Sequence, residues 1–181
     1  MKELSLNILD IAENSLKAKA SLCEISILED EDTLTVTIAD DGEGITEEVL
    51  KTVINPFYTT RTTRKVGMGL PLLKLEAEQT GGNMEIESKH ISLFPDTHGT
   101  KVSALFYKKH IDCVPLGDVV STIVTLIQGH PDSDFLFKHI MTNKEIVFDT
   151  REIREVLGDV PLDTYDVIKW IGEFLNEMYI N

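Results

Sequence analysis

The feature that most constrains this chain is a strand pattern that runs directly into a carboxylate and two glycines. Leu34, Val36 and Ile38 alternate with threonines, and the segment DDGEG follows at residues 40–44. Alternation with a period of two is typical of a strand with one buried face. The glycines permit a sharp turn and the close approach of a flat ligand, and a carboxylate beside them can accept a hydrogen bond from an amine of that ligand. Alone, such a segment is more often a plain turn.

Composition narrows the class of protein. The 181 residues carry a net charge of −14, which argues against a nucleic-acid partner and against an anionic membrane surface. Cys23 and Cys113 stand alone, so we expect free thiols rather than a disulfide framework or a zinc site. We find no apolar run of membrane-spanning length and no apolar signal core. The sequence therefore predicts a soluble cytoplasmic protein.

Residues 3–19 show the apolar period of an amphipathic helix. Its polar residues Asn7, Asp10, Asn14 and Lys17 fall in a single stripe. A solvated helix face is the ordinary interpretation of such a stripe. Asn is a mediocre helix former, however, and two of them favour a second interpretation, a site for ligands. An Asn carbonyl suits a hard cation, an Asp can orient water, and a Lys can hold a phosphate.

A second group of residues indicates an anion site. Residues 59–66 lack an apolar period and carry Arg61, Arg64 and Lys65, which predicts either a plain basic loop or a lid that faces phosphates. Gly67 and Gly69 then precede a helix predicted over 70–80. A glycine-rich loop that opens a helix presents free N–H groups and the positive end of the helix dipole.

The remaining patterns divide the chain near residue 110. Strands are predicted at 22–28, 33–39, 83–88 and 100–107. Beyond residue 111 we predict a helix carrying an apolar stripe at 119–127, a hairpin at 135–140 and 145–148, a short helix capped by Asp149 or Thr150, and a last helix at 164–178. We therefore expect an N-terminal domain, 1–110, and a small C-terminal module, 111–181.

Several motifs in order resemble the GHKL ATPase superfamily, the Bergerat fold of histidine kinases, gyrase-type ATPases and MutL-like proteins. ENSLKAKA at 13–20 resembles the N box and DDGEGI at 40–45 the first glycine box. NPFYTTR at 55–61 is similar to the F box of nitrogen-regulator-type histidine kinases. VGMGLPLLKLEAEQTGG at 66–82 resembles the second glycine box with its helix, and the pair at 99–100 resembles the closing Gly-Thr strand.

The resemblance implies ATP and Mg²⁺ as cofactors and assigns roles to particular residues. Asn14 would coordinate the Mg²⁺ that bridges the phosphates, Asp40 would accept from the adenine amino group, and Thr100 would support the adenine site. Lys17 matches the basic residue that histidine kinases keep one turn after the Asn. The backbone positions beside the base and the phosphates would be Gly42, Gly44, Gly67, Gly69 and Leu70.

Departures from the family pattern leave the reaction open. Hydrolytic members carry a Glu as general base where this chain has Asp10, which is either a base or a residue supporting the site. Lys65 stands where the second glycine box usually opens with a Gly. Only three residues precede the first helix, and none of the five histidines is followed by an acidic residue. We therefore expect no autophosphorylating two-component sensor.

The predicted fold is an α/β (α+β) two-layer sandwich, with a mixed, mostly antiparallel sheet of four or five strands under three helices, plus the small C-terminal α+β module. The predicted function is Mg²⁺-dependent ATP binding with ATP hydrolysis or phosphoryl transfer by a stand-alone histidine-kinase-like domain. Asp10, Lys17, Arg61 and Lys65 would act in catalysis. The alternative is a non-catalytic module in which ATP switches a protein interface. The C-terminal module would serve a protein partner or self-association as a homodimer.

Overall fold

The computed structural model describes residues 3–54 and 68–181 of the chain. Within these residues, pairs of consecutive strands are separated by one or two helices. In chain order the elements are α1 (Leu4–Lys17), β1 (Leu22–Glu29), β2 (Thr33–Asp40), α2 (Glu47–Val53), α3 (Gly69–Gln79), β3 (Asn83–Lys89), β4 (Gly99–Tyr107), α4 (Val119–Gly129), β5 (Asp134–Met141), β6 (Lys144–Asp149), α5 (Thr150–Leu157) and α6 (Tyr165–Ile180).

The described strands form one six-stranded sheet in the order β3-β4-β2-β1-β5-β6. Only the β1–β5 pair is parallel, and the other neighbours are antiparallel. This arrangement confirms the predicted mixed, mostly antiparallel sheet. The sheet has more strands than the expected four or five because β5 pairs with β1 along its whole length, from Leu22 opposite Asp134 to Glu29 opposite Met141.

The core lies between one face of the sheet and a layer of helices. α3 packs on β3 and β4, α1 on β1 and β2, α4 on β5, and α6 on β6, with each helix contacting the next in that layer. Every second strand residue points into this layer, which is why the period of two was visible in the sequence. One buried row across five strands consists of Val102, Ile38, Ile25, Phe137 and Phe148.

The elements beyond residue 111 share this core. Phe135 and Phe137 of β5, together with Ile123 and Leu126 of α4, are fully buried. The segment before α4 holds the start of α1, since the Leu4 N–H donates to the Pro115 carbonyl at 2.9 Å. The division of the chain at residue 110 stays a prediction, and the structure adds that both parts contribute to one sheet and one hydrophobic core.

A polar cluster around the buried His139 joins β5 to the end of β1 and to α6. The His139 Nε2 lies 3.1 Å from the Glu29 carboxylate, and its Nδ1 lies 2.8 Å from the Tyr179 hydroxyl. Because a carboxylate only accepts, the neutral imidazole carries its proton on Nε2, and Tyr179 donates to Nδ1. Lys108 approaches the other Glu29 oxygen at 2.6 Å. Burial lowers the pKa of His139, and the Glu29 carboxylate only partly opposes this effect.

This cluster predicts a loss of stability on mild acidification. The unfolded chain takes up a proton at the ordinary histidine pKa of 6.5, whereas the folded chain binds it only at lower pH. Acidification below that value therefore favours unfolding. We expect the free energy of unfolding, from urea titrations at about pH 7.5 and about pH 5.5, to fall less in His139→Gln than in the parent chain. An equal fall in the free energy of unfolding in both proteins would show that His139 is not the group responsible.

Among the residues that the structure describes, no helix has the length and apolar character needed to cross a membrane.

Candidate nucleotide-binding site

Asp40 closes β2 and has one carboxylate oxygen already engaged. Its Oδ1 accepts from the Gly42 N–H at 2.9 Å and from the Thr100 N–H at 3.3 Å. Within residues 3–54 and 68–181, no hydrogen-bond donor contacts Oδ2. The two backbone bonds fix the plane of the carboxylate, so the second oxygen is held ready to accept from a ligand amine.

Cys23 lies opposite Asp40 on β1 and is fully buried. Burial raises the pKa of its thiol to about 12, and the nearby Asp40 charge adds to the effect. The thiol is therefore protonated at neutral pH and inert as a nucleophile. It forms part of the apolar layer under the carboxylate.

Thr100 supports this site through a residue that sequence reasoning missed. The Thr100 hydroxyl lies 2.8 Å from the Ser88 hydroxyl on the neighbouring strand β3. The Ser88 Oγ also accepts from the Ile45 N–H at 2.7 Å and lies 3.1 Å from the Gly99 carbonyl oxygen. Ser88 thus links the loop after β2 to the start of β4. A serine in an alternating strand carries no local sequence signal for such a role.

The loop at 40–44 runs between the end of α1 and the end of β3. The Glu43 N–H donates to the Ala18 carbonyl at 2.8 Å. Gly44 has a φ of +74°, and a Cβ there would lie 2.1 Å from the Lys89 carbonyl oxygen. A side chain at Gly44 would therefore collide with backbone, and the positive φ is itself unfavourable for other residues. Gly44 is thus required for packing of the loop against the end of β3, and the close approach of a ligand at this glycine stays a prediction.

The first two residues of the polar stripe of α1, Asn7 and Asp10, face α3 rather than open solvent. Asn7 is fully buried and donates from Nδ2 to the Glu76 carboxylate on α3. One turn later, Asp10 Oδ2 lies 2.1 Å from the point where a Cβ on Gly69 would stand. The Asp10 carboxylate therefore lies against the first residue of α3, where the positive end of the helix dipole favours a negative charge.

Asn14 continues the same stripe. Its Nδ2 is buried and has no hydrogen-bond partner among the described residues. A buried amide nitrogen without a partner is uncommon, so among the described residues Asn14 has unused hydrogen-bonding capacity for a polar ligand. The amide and carbonyl of an Asn exchange places by a half-turn of the side chain, so Asn14 can equally present its oxygen to that ligand.

The donor set around Asn14 suits Mg²⁺. Asn14 and Asp10 offer hard oxygen ligands one helical turn apart on α1. Among the residues described, no group of three or more His, Cys, Asp or Glu side chains could hold a metal. Mg²⁺ ordinarily takes one or two protein oxygens and completes its shell with phosphates and water. The residues present therefore fit a magnesium ion delivered with a nucleotide.

α1 connects the two halves of the site. The Asn14 backbone carbonyl accepts from the Ala18 N–H at 3.0 Å. The Ala18 backbone carbonyl in turn accepts from the Glu43 N–H in the loop at 40–44. Lys17, in the last turn of α1, is exposed and has no ion pair within the described part of the chain. Gly69 is the first residue of α3, one position before the predicted start of that helix, and the Leu70 side chain is buried in the core. Arg61, Lys65 and Gly67 lie outside the described residues.

Comparison with known proteins identifies the family. The model of the family described as "Histidine kinase-, DNA gyrase B-, and HSP90-like ATPase" matches residues 2–110. The chain belongs to this family of ATPases. Membership implies ATP binding, and it confirms the GHKL resemblance drawn from the motifs.

Curated relatives with sequence similarity are sensor and sporulation kinases. The chain is 31% identical to the sensor protein KdpD of Clostridium acetobutylicum over 94 residues, which are 49% of this chain and 10% of that protein. It is 33% identical to sporulation kinase A of Bacillus subtilis over 88 residues, 49% of this chain and 14% of that protein. The chain thus spans only a small part of the length of these relatives.

Solved structures confirm the fold. The MutL ATPase domain of Aquifex aeolicus complexed with ADP superposes with a TM-score of 0.53 at 16% identity, covering 87% of this chain and 69% of that one. The N-terminal domain of a DNA repair protein gives a TM-score of 0.54 at 14% identity, covering 88% and 58%. At these identities the likeness concerns the fold alone.

Proposed function

We propose that this chain binds ATP with Mg²⁺ and directs the γ-phosphate to water or to a protein acceptor, as a regulatory histidine-kinase-like domain. The observation that carries the proposal is the pair of incomplete polar sites joined by α1. Among the described residues, Asp40 at one end has a carboxylate oxygen without a donor, and Asn14 at the other end has a buried amide nitrogen without a partner. An adenine amine and a Mg²⁺-bound phosphate would satisfy both.

Catalysis in this proposal is positioning and charge neutralisation. When bound, Mg²⁺ would withdraw charge from the phosphate oxygens. Asn14 holds the metal, Lys17 offsets negative charge at the phosphates, and Asp10 accepts a proton from the attacking hydroxyl. Arg61 and Lys65 are proposed as further cations, on the strength of the sequence pattern alone.

The alternative of a non-catalytic switch has one observation in its favour. Asp10 packs against Gly69 at the start of α3, a placement that also suits a carboxylate whose task is to hold α1 and α3 together. In that case ATP would order the site and alter a protein interface without turnover.

For the partner, we propose that residues 111–181 contribute a protein-binding surface, to another protein or to a second copy. Support comes from exposed aromatic residues on α6. Trp170 stacks on Phe174 with ring centroids 4.9 Å apart, yet 45% of Trp170 stays exposed, and Tyr165 is 77% exposed. Exposed Trp and Tyr are enriched at protein interfaces.

The test follows the γ-phosphate. The pure protein is incubated with Mg²⁺ and γ-labelled ATP beside Asn14→Ala, and beside Asn176→Ala as a matched control on the remote helix α6. We expect label to appear as inorganic phosphate, or on an added protein acceptor, in the parent chain and in Asn176→Ala but not in Asn14→Ala. Label that stays in ATP despite measurable binding supports the switch. No detectable ATP binding by the parent chain contradicts both.

A further inference from the structure

The connection between β3 and β4 contacts the loop at 40–44 at two points. The Ile91 N–H donates to the Glu43 carbonyl at 2.8 Å, and the His98 Nδ1 lies 2.6 Å from the Gly42 carbonyl oxygen. A carbonyl oxygen only accepts, so His98 carries a proton on Nδ1 and donates it. This is a side chain-to-backbone bond across 56 positions of sequence.

The backbone that carries His98 is anchored on its C-terminal side. Gly99 pairs with Lys89 at the start of β4, and its carbonyl oxygen lies 3.1 Å from the Ser88 hydroxyl. The next residue, Thr100, donates its N–H to Asp40. His98 itself is half-buried. The imidazole is therefore presented to Gly42 by a strand that also contacts the Asp40 carboxylate.

The peptide unit between Gly42 and Glu43 is held at both of its polar atoms. Its oxygen accepts from His98, and its N–H donates to the Ala18 carbonyl. The preceding N–H, that of Gly42, is the one that engages Asp40 Oδ1. Rotation of this peptide would displace the Gly42 N–H and would thereby change the orientation of the Asp40 carboxylate. His98 is the only side chain among the described residues that donates to the Gly42 carbonyl.

We propose that His98 is a positioning residue for recognition of the adenine base. Its Nδ1–H fixes the Gly42–Glu43 peptide, and that peptide fixes the carboxylate of Asp40 toward the exocyclic amine. This inference depends on the proposed ATP binding and adds a base-selectivity determinant outside the family motifs quoted above. The phosphate end of the site, at Asp10 and Asn14, is not touched by this bond.

The chemistry of side-chain amides gives a sharp test. In Asn the donor nitrogen is bonded to Cγ, as Nδ1 is in His, whereas in Gln the donor is one bond further out. We expect His98→Ala and His98→Gln to bind ATP about fivefold to tenfold more weakly than the parent chain, and His98→Asn to stay within about twofold. Binding is measured by calorimetry with Mg²⁺ present.

Two further readouts separate positioning from general damage. Inorganic tripolyphosphate with Mg²⁺ engages only the phosphate end, so its affinity should be unchanged in His98→Ala, while the preference for ATP over GTP should shrink. In the nucleotide-free protein, the Glu43 amide should exchange its hydrogen faster in His98→Ala than in His98→Asn.

The inference is overturned if His98→Ala binds ATP as the parent does, if Gln restores binding and Asn does not, or if ATP and tripolyphosphate weaken equally. A parent chain that binds tripolyphosphate but does not prefer ATP to GTP also overturns it, while leaving phosphate binding intact. A parent chain that binds neither ligand refutes the proposed function itself, and the inference with it.

Discussion

Replacing Asp10 with Asn is expected to lower kcat for ATP hydrolysis by about 10²- to 10⁴-fold while the Kd for ATP changes by less than about threefold. The substitution keeps the size of the side chain and removes its capacity to take a proton. The measurement is phosphate release under saturating ATP, with binding followed separately by calorimetry. Asp118→Asn provides the matched control, because Asp118 caps α4 through Ser121 and Asn is an equally good capping residue.

Gly69→Ala also tests whether the Asp10 carboxylate takes the proton in ATP hydrolysis. A Cβ at this position would stand 2.1 Å from Asp10 Oδ2 and 2.9 Å from its Cγ, so the carboxylate must swing away. We expect Gly69→Ala to lower kcat in the parent chain and to have little further effect in an Asp10→Asn background. Hydrolysis that persists in Asp10→Asn would show that Asp10 only packs α1 against α3.

Asp40→Asn is expected to weaken ATP binding by about 10- to 100-fold, the range for losing a hydrogen bond to a charged group. The Asn oxygen can still accept from the Gly42 and Thr100 N–H groups, as Asp40 Oδ1 does now. The amide nitrogen of the new Asn then faces the adenine amine. Both groups are hydrogen-bond donors, so they cannot bond to each other. Guanine presents an oxygen at the same place, so the affinity for GTP should hold steady or improve.

Asp41→Asn is the natural control for this specificity change. Asp41 Oδ1 accepts from the N–H groups of Ser21 and Leu22 at 2.8 and 2.9 Å, which holds the start of β1. Burial raises the pKa of Asp41, but these hydrogen bonds outweigh the effect and leave it below its usual value. We expect Asp41→Asn to lower the unfolding temperature without altering the ratio of ATP to GTP affinity. If Asp40→Asn weakened the binding of ATP and of GTP equally, the assignment of Asp40 to the adenine base would be wrong.

Local patterns in the sequence were sufficient for most of the secondary structure. The alternation through Leu34, Val36 and Ile38 predicts a strand at 33–39, and β2 runs from Thr33 to Asp40, because the side chains of a strand point alternately into and out of the core. The capping choice at residues 149–150 is resolved in favour of Asp149, whose side chain accepts from the Arg151 N–H. Such features depend on neighbours a few residues apart, so they are visible without the fold.

Contacts between distant segments were not predictable in the same way. The stripe containing Asn7 was recognised, but its bond to Glu76 spans 69 positions and depends on how α1 and α3 pack. Ser88 and His98 act on the loop at 40–44 from another strand and its connection. The parallel pairing of β1 with β5 was also missed, because no periodicity in one strand identifies its partner.

That parallel pair has a consequence for synthesis of the chain on the ribosome. β1 emerges from the ribosome before its neighbour β5, which is translated only after residue 133. Until then one edge of β1 is unpaired, and Cys23 and Ile25 lack their neighbours Phe135 and Phe137. Nascent chains with such edges invite aggregation and chaperone binding. At ordinary elongation rates, the ATPase motifs are therefore translated several seconds before β5 is available to complete their sheet.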